Sequence, residues 1–130
     1  MDTYFFGSFF HAEVLQNLII FYEIIAGKTD PFRKGEMIAW HNKTTLNYWS
    51  SPSCNQVSGR DPSGLPLNLS PSDNMDLFIG QICRPLLFKF EKNTVVDNEF
   101  ATMRFIPEET SFSSPDQVPE NQCYCLRKVS

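Results

Sequence analysis

The chain has 130 residues, so one domain is expected, and its 42% hydrophobic and 20% charged content is typical of a globular protein. Its net charge is −4 and its cations form only isolated doublets, such as Arg33-Lys34 and Arg127-Lys128, so nucleic acid is excluded as a partner. No GxSxG, HExxH, P-loop or GxGxxG motif occurs, so we predict neither an enzyme nor a cofactor-binding protein.

An amphipathic helix is predicted to begin near residue 9, because apolar residues recur there at helical spacing. The run 18–25 is also rich in Ile and aromatic side chains, so a strand is the alternative for this part. A membrane-spanning helix or a signal peptide is not indicated, because Glu13 and Glu23 interrupt the apolar stretch and no cation precedes Lys28. The periodic residues are Phe10, Val14, Leu18, Tyr22 and Ile25.

Two short strands and one long loop are predicted in the middle of the chain. Met37–Trp40 and Met75–Ile79 are short apolar runs, which favours strands. Residues 50–73 are dense in Ser, Pro, Gly and Asn, which indicates an irregular loop. A loop of this length is usually functional, disordered or crosslinked, and the position of Cys54 near its start favours a crosslink.

A β-hairpin is predicted where two runs of alternating apolar and polar residues, 86–91 and 101–106, flank an Asp97-Asn98 turn. One face of this hairpin is apolar and the other is mostly polar, so one side of its sheet should meet solvent. The apolar face is expected to pack in the core or to line a conduit for an apolar ligand. Its residues are Phe88, Phe90, Met103 and Phe105.

Four cysteines indicate an oxidising compartment and disulfide bonds. They allow three internal pairings, of which the one that joins Cys123 to Cys125 is disfavoured, because a single intervening residue rarely permits disulfide geometry. Zinc binding is the alternative role for the cysteines. A structural zinc site typically requires Cys-x2-4-Cys pairs, whereas only a Cys-Tyr-Cys is present. If this end of the chain is extended, Cys123 and Cys125 point the same way and each needs its own partner. The other two cysteines are Cys54 and Cys83.

Two Asn-x-Ser/Thr sequences are candidate glycosylation sites. They begin at Asn42 and Asn68, and both lie beside predicted turns or loops, where a glycan fits. Asn68 is the weaker candidate, because Pro71 directly follows its acceptor triplet.

Several short segments occur in a specific order and spacing. Cys54–Asp61 is similar to a Cys-x-x-Ile-Asn-Gly-x-Asp loop, and Ile82–Arg84 is similar to an Ile-Cys-Arg element. Met103–Phe105 is similar to Tyr-Arg-Phe, and Cys123–Cys125 is similar to Cys-Phe-Cys. In this order they resemble the class B scavenger receptor family, over roughly residues 22–125.

The resemblance implies an α+β fold that is mainly antiparallel β, a slice of a β-barrel ectodomain with short helices and long loops. Residues 21–130 would be this partial ectodomain, and residues 1–20 an atypical N-terminal segment for which a helix is considered. The resemblance also implies a receptor held in the plasma or endolysosomal membrane by segments outside this chain. Its extracellular or lumenal side would bind and transfer lipids or lipoprotein-like hydrophobic ligands, without a cofactor.

The connectivity of the family implies a disulfide between Cys54 and Cys123, with Cys83 and Cys125 unpaired in this chain. The alternative is a small secreted binding module that stands alone and is held by disulfides. That module would pair all four cysteines internally, so the state of the cysteines separates the two hypotheses.

Overall fold

The computed structural model describes residues 3–8 and 20–125, and this part of the chain is mainly antiparallel β with short helices and long loops, as the sequence predicts. None of its helices is long and apolar enough to span a bilayer. The strands are β1 (Thr3–Ser8), β2 (Ile20–Ile25), β3 (Met37–Trp40), β4 (Met75–Ile79), β5 (Arg84–Val96) and β6 (Phe100–Pro107). The helix α1 spans Pro52–Asn55, and 3-10 helices span Pro31–Arg33, Glu109–Phe112 and Pro119–Tyr124.

The first sheet has the order β1-β2-β3, with both pairs antiparallel. Its strand β2 shows that the run up to Ile25 is a strand from Ile20 onward, and the helical interpretation is wrong for these residues. The physical reason is that their aromatic side chains pair across the sheet, as where Tyr22 stacks on Trp40 of β3 at a centroid distance of 5.7 Å. Residues 9–19, where the helix is predicted to begin, lie outside the described part of the chain.

The second sheet has the order β4-β5-β6 and contains the predicted hairpin. Asp97 and Asn98 have left-handed φ angles of 53° and 57°, and the Glu99 N–H donates to the Val96 carbonyl at 3.2 Å, which closes a tight turn within the three-residue connection 97–99. The strand β4 pairs only with the beginning of β5, from Arg84 to Phe88. The rest of β5, together with the part of β6 that pairs with it, therefore extends past β4 as a two-stranded ribbon.

The segment 57–61 joins the two sheets, because its backbone bonds to both. On one side, the Met37 N–H of β3 donates to the Gly59 carbonyl at 2.8 Å. On the other, the Arg60 N–H donates to the Asp76 carbonyl and the Phe78 N–H to the Arg60 carbonyl, each at 2.8 Å. Gly59 has a φ of 88°, and a Cβ there would lie 3.0 Å from the Asp76 oxygen, so glycine permits this close approach.

The buried core lies between these sheets and is centred on Phe78 of β4, which is 3% exposed. The Phe78 ring lies 5.3 Å from the Trp40 ring of β3, so one aromatic contact connects the two sheets. Gly80 allows this packing, because a Cβ at that position would collide with the Trp40 ring. The other buried members of the cluster are Ile24, Met37, Leu46 and Val57.

Candidate functional site

The β5–β6 hairpin presents an apolar face, which a bulge after Phe90 extends toward the hairpin turn. Phe90 of β5 lies opposite Phe105 of β6. The bulge adds one residue to β5, so Met103, which lies two positions before Phe105, is opposite Asn93. As a result, Val95 shares the face of Phe90, which simple alternation along β5 would not give. The Phe90 and Phe105 rings meet edge to face at 5.8 Å.

The opposite face of the hairpin is polar and carries two ion pairs. Arg104 Nε lies 2.9 Å from a Glu91 carboxylate oxygen, and Lys89 Nζ lies 2.6 Å from a Glu108 oxygen. Exposed pairs of this kind contribute only about 0–1 kcal/mol each, so they add little to stability. They show, however, that the polar face meets water.

A groove of about 590 Å³ lies along the apolar face, between the hairpin and the loop that precedes β4. Its floor is buried, since Met75 is 5% exposed, while its rim is open, since Val95 is 60% exposed. Leu69 and Met75 also line an adjoining hollow of about 400 Å³ that reaches Phe32. The apolar lining of the groove comes from Leu65, Leu69, Met75, Val95, Met103 and Phe105.

The structure places all four predicted apolar residues on one face of the hairpin, but at different depths. Met103 and Phe105 line the groove, whereas Phe88 and Phe90 lie half-buried further along the same face. None of the four belongs to the buried cluster around Phe78. All four therefore lie outside the buried cluster, on the apolar face of the hairpin.

The structure joins Cys54 and Cys123 in a disulfide, with their Cα atoms 6.3 Å apart. The bond connects α1 to the last 3-10 helix across 69 positions of sequence. The Asn55 amide fixes the α1 side, because its Oδ1 accepts from the Trp49 N–H and its Nδ2 donates to the Trp49 carbonyl. Cys83 and Cys125 are free thiols.

A tyrosine clamp, defined as Tyr124 held between Trp49 and Arg84, stands beside this disulfide. The Tyr124 ring meets the Trp49 ring edge to face at 5.1 Å, and the Arg84 guanidinium carbon lies 3.8 Å from the Tyr124 centroid. The Trp49 indole N–H donates to the Cys83 carbonyl at 2.8 Å, and Arg84 Nη2 donates to the Ser111 carbonyl at 3.0 Å. Sequence patterns gave no signal for this clamp, since its members are 35 and 40 positions apart.

The two free thiols differ in environment. Burial raises the pKa of the Cys83 thiol, whose S–H donates to the Gly80 carbonyl at 3.3 Å, whereas Cys125 is exposed. Because the thiolate is the reactive form, we expect iodoacetamide at about pH 8 to label Cys125 at least about tenfold faster than Cys83. The labelling of Cys83 should keep rising at higher pH, because its raised pKa delays thiolate formation.

Timed mass spectrometry of the labelled peptides measures both rates. The control is Cys125→Ser, in which the remaining label should reach Cys83 at the same slow rate. Equal rates at the two thiols would show that Cys83 is not protected.

Both candidate glycosylation sites are exposed at turns. Asn42 has a φ of 60° and follows His41, whose φ is 49°, so the pair forms a tight turn after β3. Asn68 has a φ of 63° and lies on the loop whose next residue, Leu69, lines the groove. Asparagine tolerates this left-handed conformation better than most residues, which explains its presence at both turns.

The chain is similar in sequence to several membrane proteins. Sensory neuron membrane protein 2 of Manduca sexta is 26% identical over 136 residues, which cover 100% of this chain and 25% of that protein. Sensory neuron membrane protein 1 of Bombyx mori is 34% identical over 91 residues, 70% of this chain and 16% of that protein. Lysosome membrane protein 2 of Rattus norvegicus is 23% identical over 128 residues, 88% of this chain and 27% of that protein.

These relatives are membrane proteins by name, and this chain spans about a quarter or less of the first relatives that it matches. A model of the CD36 family matches residues 3–130, so the chain belongs to the CD36 family. The predicted resemblance to class B scavenger receptors is thereby confirmed. The match begins at residue 3, so it includes most of the N-terminal segment that the sequence motifs left unassigned.

Proposed function

We propose that this chain is part of the ectodomain of a membrane-anchored scavenger-type receptor that binds and transfers lipids or other hydrophobic ligands without converting them chemically. The observation that carries this proposal is the apolar groove of about 590 Å³ on the hairpin. Small-molecule sites typically measure about 300–1,000 Å³ and are lined mainly by apolar side chains. The groove has both properties.

The shape of the apolar surface favours an elongated ligand. The groove and the adjoining hollow share Leu69 and Met75, so a path runs from Val95 near the hairpin turn to Phe32 beside the first sheet. Its part along the hairpin is mainly apolar, whereas the hollow is also lined by polar residues such as Arg60 and Asp73. A flexible hydrocarbon chain can follow such a path, and each methylene that it buries contributes about 0.8 kcal/mol.

The names of the relatives support a receptor in a membrane. Scavenger receptor class B member 1 of Rattus norvegicus is 24% identical over 86 residues, which cover 66% of this chain and 17% of that protein. By analogy we place this ectodomain on the extracellular or lumenal side of the plasma or endolysosomal membrane, with glycans at Asn42 and Asn68. The stand-alone secreted module is less well supported, because it requires four paired cysteines, whereas Cys83 and Cys125 are free.

Val95→Asp should weaken the binding of a fluorescent fatty acid by about tenfold, because a carboxylate on the groove wall must be desolvated against the hydrocarbon chain. The measurement is a fluorescence titration of the oxidised 130-residue chain. Val95 suits this test because it is 60% exposed without ligand, so its replacement should leave the fold intact.

Val96→Asp is the matched control. Val96 is also exposed, at 48%, and follows Val95 directly, but it points to the opposite face of the strand. It should leave the affinity for the fatty acid unchanged. If the two variants weaken binding equally, or if neither does, the groove is not the binding site.

A further inference from the structure

Cys54 has a second possible disulfide partner, Cys125, only two residues from Cys123. Cys125 is an exposed free thiol, and only Tyr124 separates it from Cys123. The Cys125 thiolate can attack the sulfur of Cys54, which forms a Cys54–Cys125 bond and releases Cys123 as a thiolate. The proton lost by Cys125 is then gained by Cys123, so the exchange consumes neither an oxidant nor a reductant.

The tyrosine clamp fixes the chain between the two competing cysteines. The Tyr124 ring is held by Trp49 at 5.1 Å and by the Arg84 guanidinium at 3.8 Å. Arg84 is itself held by its hydrogen bond to Ser111 and by the ring of Phe112, which lies 5.6 Å from its guanidinium carbon. The slot that receives Tyr124 is therefore fixed by residues outside the last 3-10 helix.

Hydrogen bonds fix the same segment on the other side of Tyr124. The Cys123 carbonyl accepts from both the N–H and the hydroxyl of Ser50, each at 3.2 Å. The buried Asn121 amide donates to the Thr110 and Ser113 carbonyls at 2.9 Å each. To bring Cys125 to Cys54, the chain would have to advance by two residues, which would break these bonds and pull Tyr124 from its slot.

We propose that the tyrosine clamp selects Cys123 over Cys125 as the partner of Cys54. Tyr124 is thus a positioning residue: it takes no part in the exchange of bonds, but it sets which of two neighbouring thiols lies against Cys54. Without the clamp, the two thiols would compete on nearly equal terms, because the loops that they close differ by only two residues.

The experiment measures each pairing separately, in chains that all carry Cys83→Ser. Cys125→Ser leaves only the Cys54–Cys123 pair, and Cys123→Ser leaves only the Cys54–Cys125 pair. Each chain is equilibrated with reduced and oxidised glutathione at about pH 8, and its thiols are then blocked with N-ethylmaleimide. The ratio of disulfide to dithiol forms gives the effective concentration of each cysteine pair.

The effective concentration of the Cys54–Cys123 pair should exceed that of the Cys54–Cys125 pair by about tenfold or more, as expected for one aromatic and one cation–π contact. Tyr124→Ser should remove about tenfold from the first pair and leave the second within about twofold. Tyr124→Phe retains the ring and should preserve the preference. Tyr48→Ser, at a residue that is 61% exposed, should leave both pairs unchanged.

A purely structural role for Tyr124 predicts a different result. Tyr124→Ser would then lower both pairs by the same factor. That outcome would overturn the proposal, as would equal effective concentrations in the chains that retain Tyr124, or a loss in Tyr124→Phe as large as that in Tyr124→Ser.

Discussion

Replacement of both Cys54 and Cys123 by serine is expected to lower the free energy of unfolding by about 4 kcal/mol. The disulfide joins residues 69 positions apart, so it removes a large amount of conformational entropy from the unfolded chain. It also joins the last 3-10 helix to α1, beside the hydrogen bonds that Ser50 donates to the Cys123 carbonyl. Urea unfolding followed by tryptophan fluorescence measures the change, since Trp49 lies beside the bond.

The control for this loss is Cys125→Ser, because Cys125 is an exposed and unbonded thiol two positions from Cys123. Its replacement should change the free energy of unfolding by less than about 0.5 kcal/mol. A double serine variant as stable as the unmodified chain would mean that the disulfide adds no stability. A comparable loss in Cys125→Ser would mean that Cys125, rather than Cys123, is bonded in solution.

The parts of the fold that could be predicted are those with a local signature. Alternation with a period of two, together with the Asp97-Asn98 turn, identifies the β5–β6 hairpin, because both features arise within one continuous segment. The apolar runs of β3 and β4 are identified for the same reason. The run at Ile20–Ile25 was ambiguous, because a short apolar segment fits a helix or a strand until its neighbours are known.

The connection between the sheets could not be predicted, because it depends on contacts between distant segments. Gly59 and Arg60 lie in a stretch rich in turn-forming residues, yet their backbone groups bond to β3 on one side and β4 on the other. No periodicity marks a segment of this kind. Only the resemblance to a family loop indicated that Cys54–Asp61 is a specific structure.

The sequence predicted the hairpin residues of the candidate site, but not the full set of residues that line the groove. Alternation placed Phe90 and Phe105 on one face, as the register shows. It did not reveal the bulge that adds Val95 to that face, since a bulge depends on how the partner strand is aligned. Nor could alternation reveal that Leu65 and Leu69 form the second wall of the groove, because the path of a long irregular loop is not encoded in a local sequence pattern.

Phe78→Ala is expected to destabilise the chain by about 3–5 kcal/mol, because it removes the most buried side chain of the core and leaves a cavity that its neighbours fill only in part. Phe78 packs with Met37 and Val57 and touches the Trp40 ring, so the loss affects both sheets at once. Domains of this kind are stable by about 5–15 kcal/mol, so this variant should be partly unfolded or close to it. The midpoint of urea unfolding measures the effect.

Phe100→Ala is the matched control, since Phe100 is 61% exposed and lies outside the core. It should cost less than about 1 kcal/mol. Phe78→Leu should fall between the two, because it retains most of the buried hydrocarbon. Hydrogen exchange adds a sharper test: if Phe78 connects the sheets, amides of β3 and β4 lose protection together in Phe78→Leu. Loss confined to β4 would show that the backbone bonds of Gly59 and Arg60, rather than the aromatic contact with Trp40, hold the two sheets together.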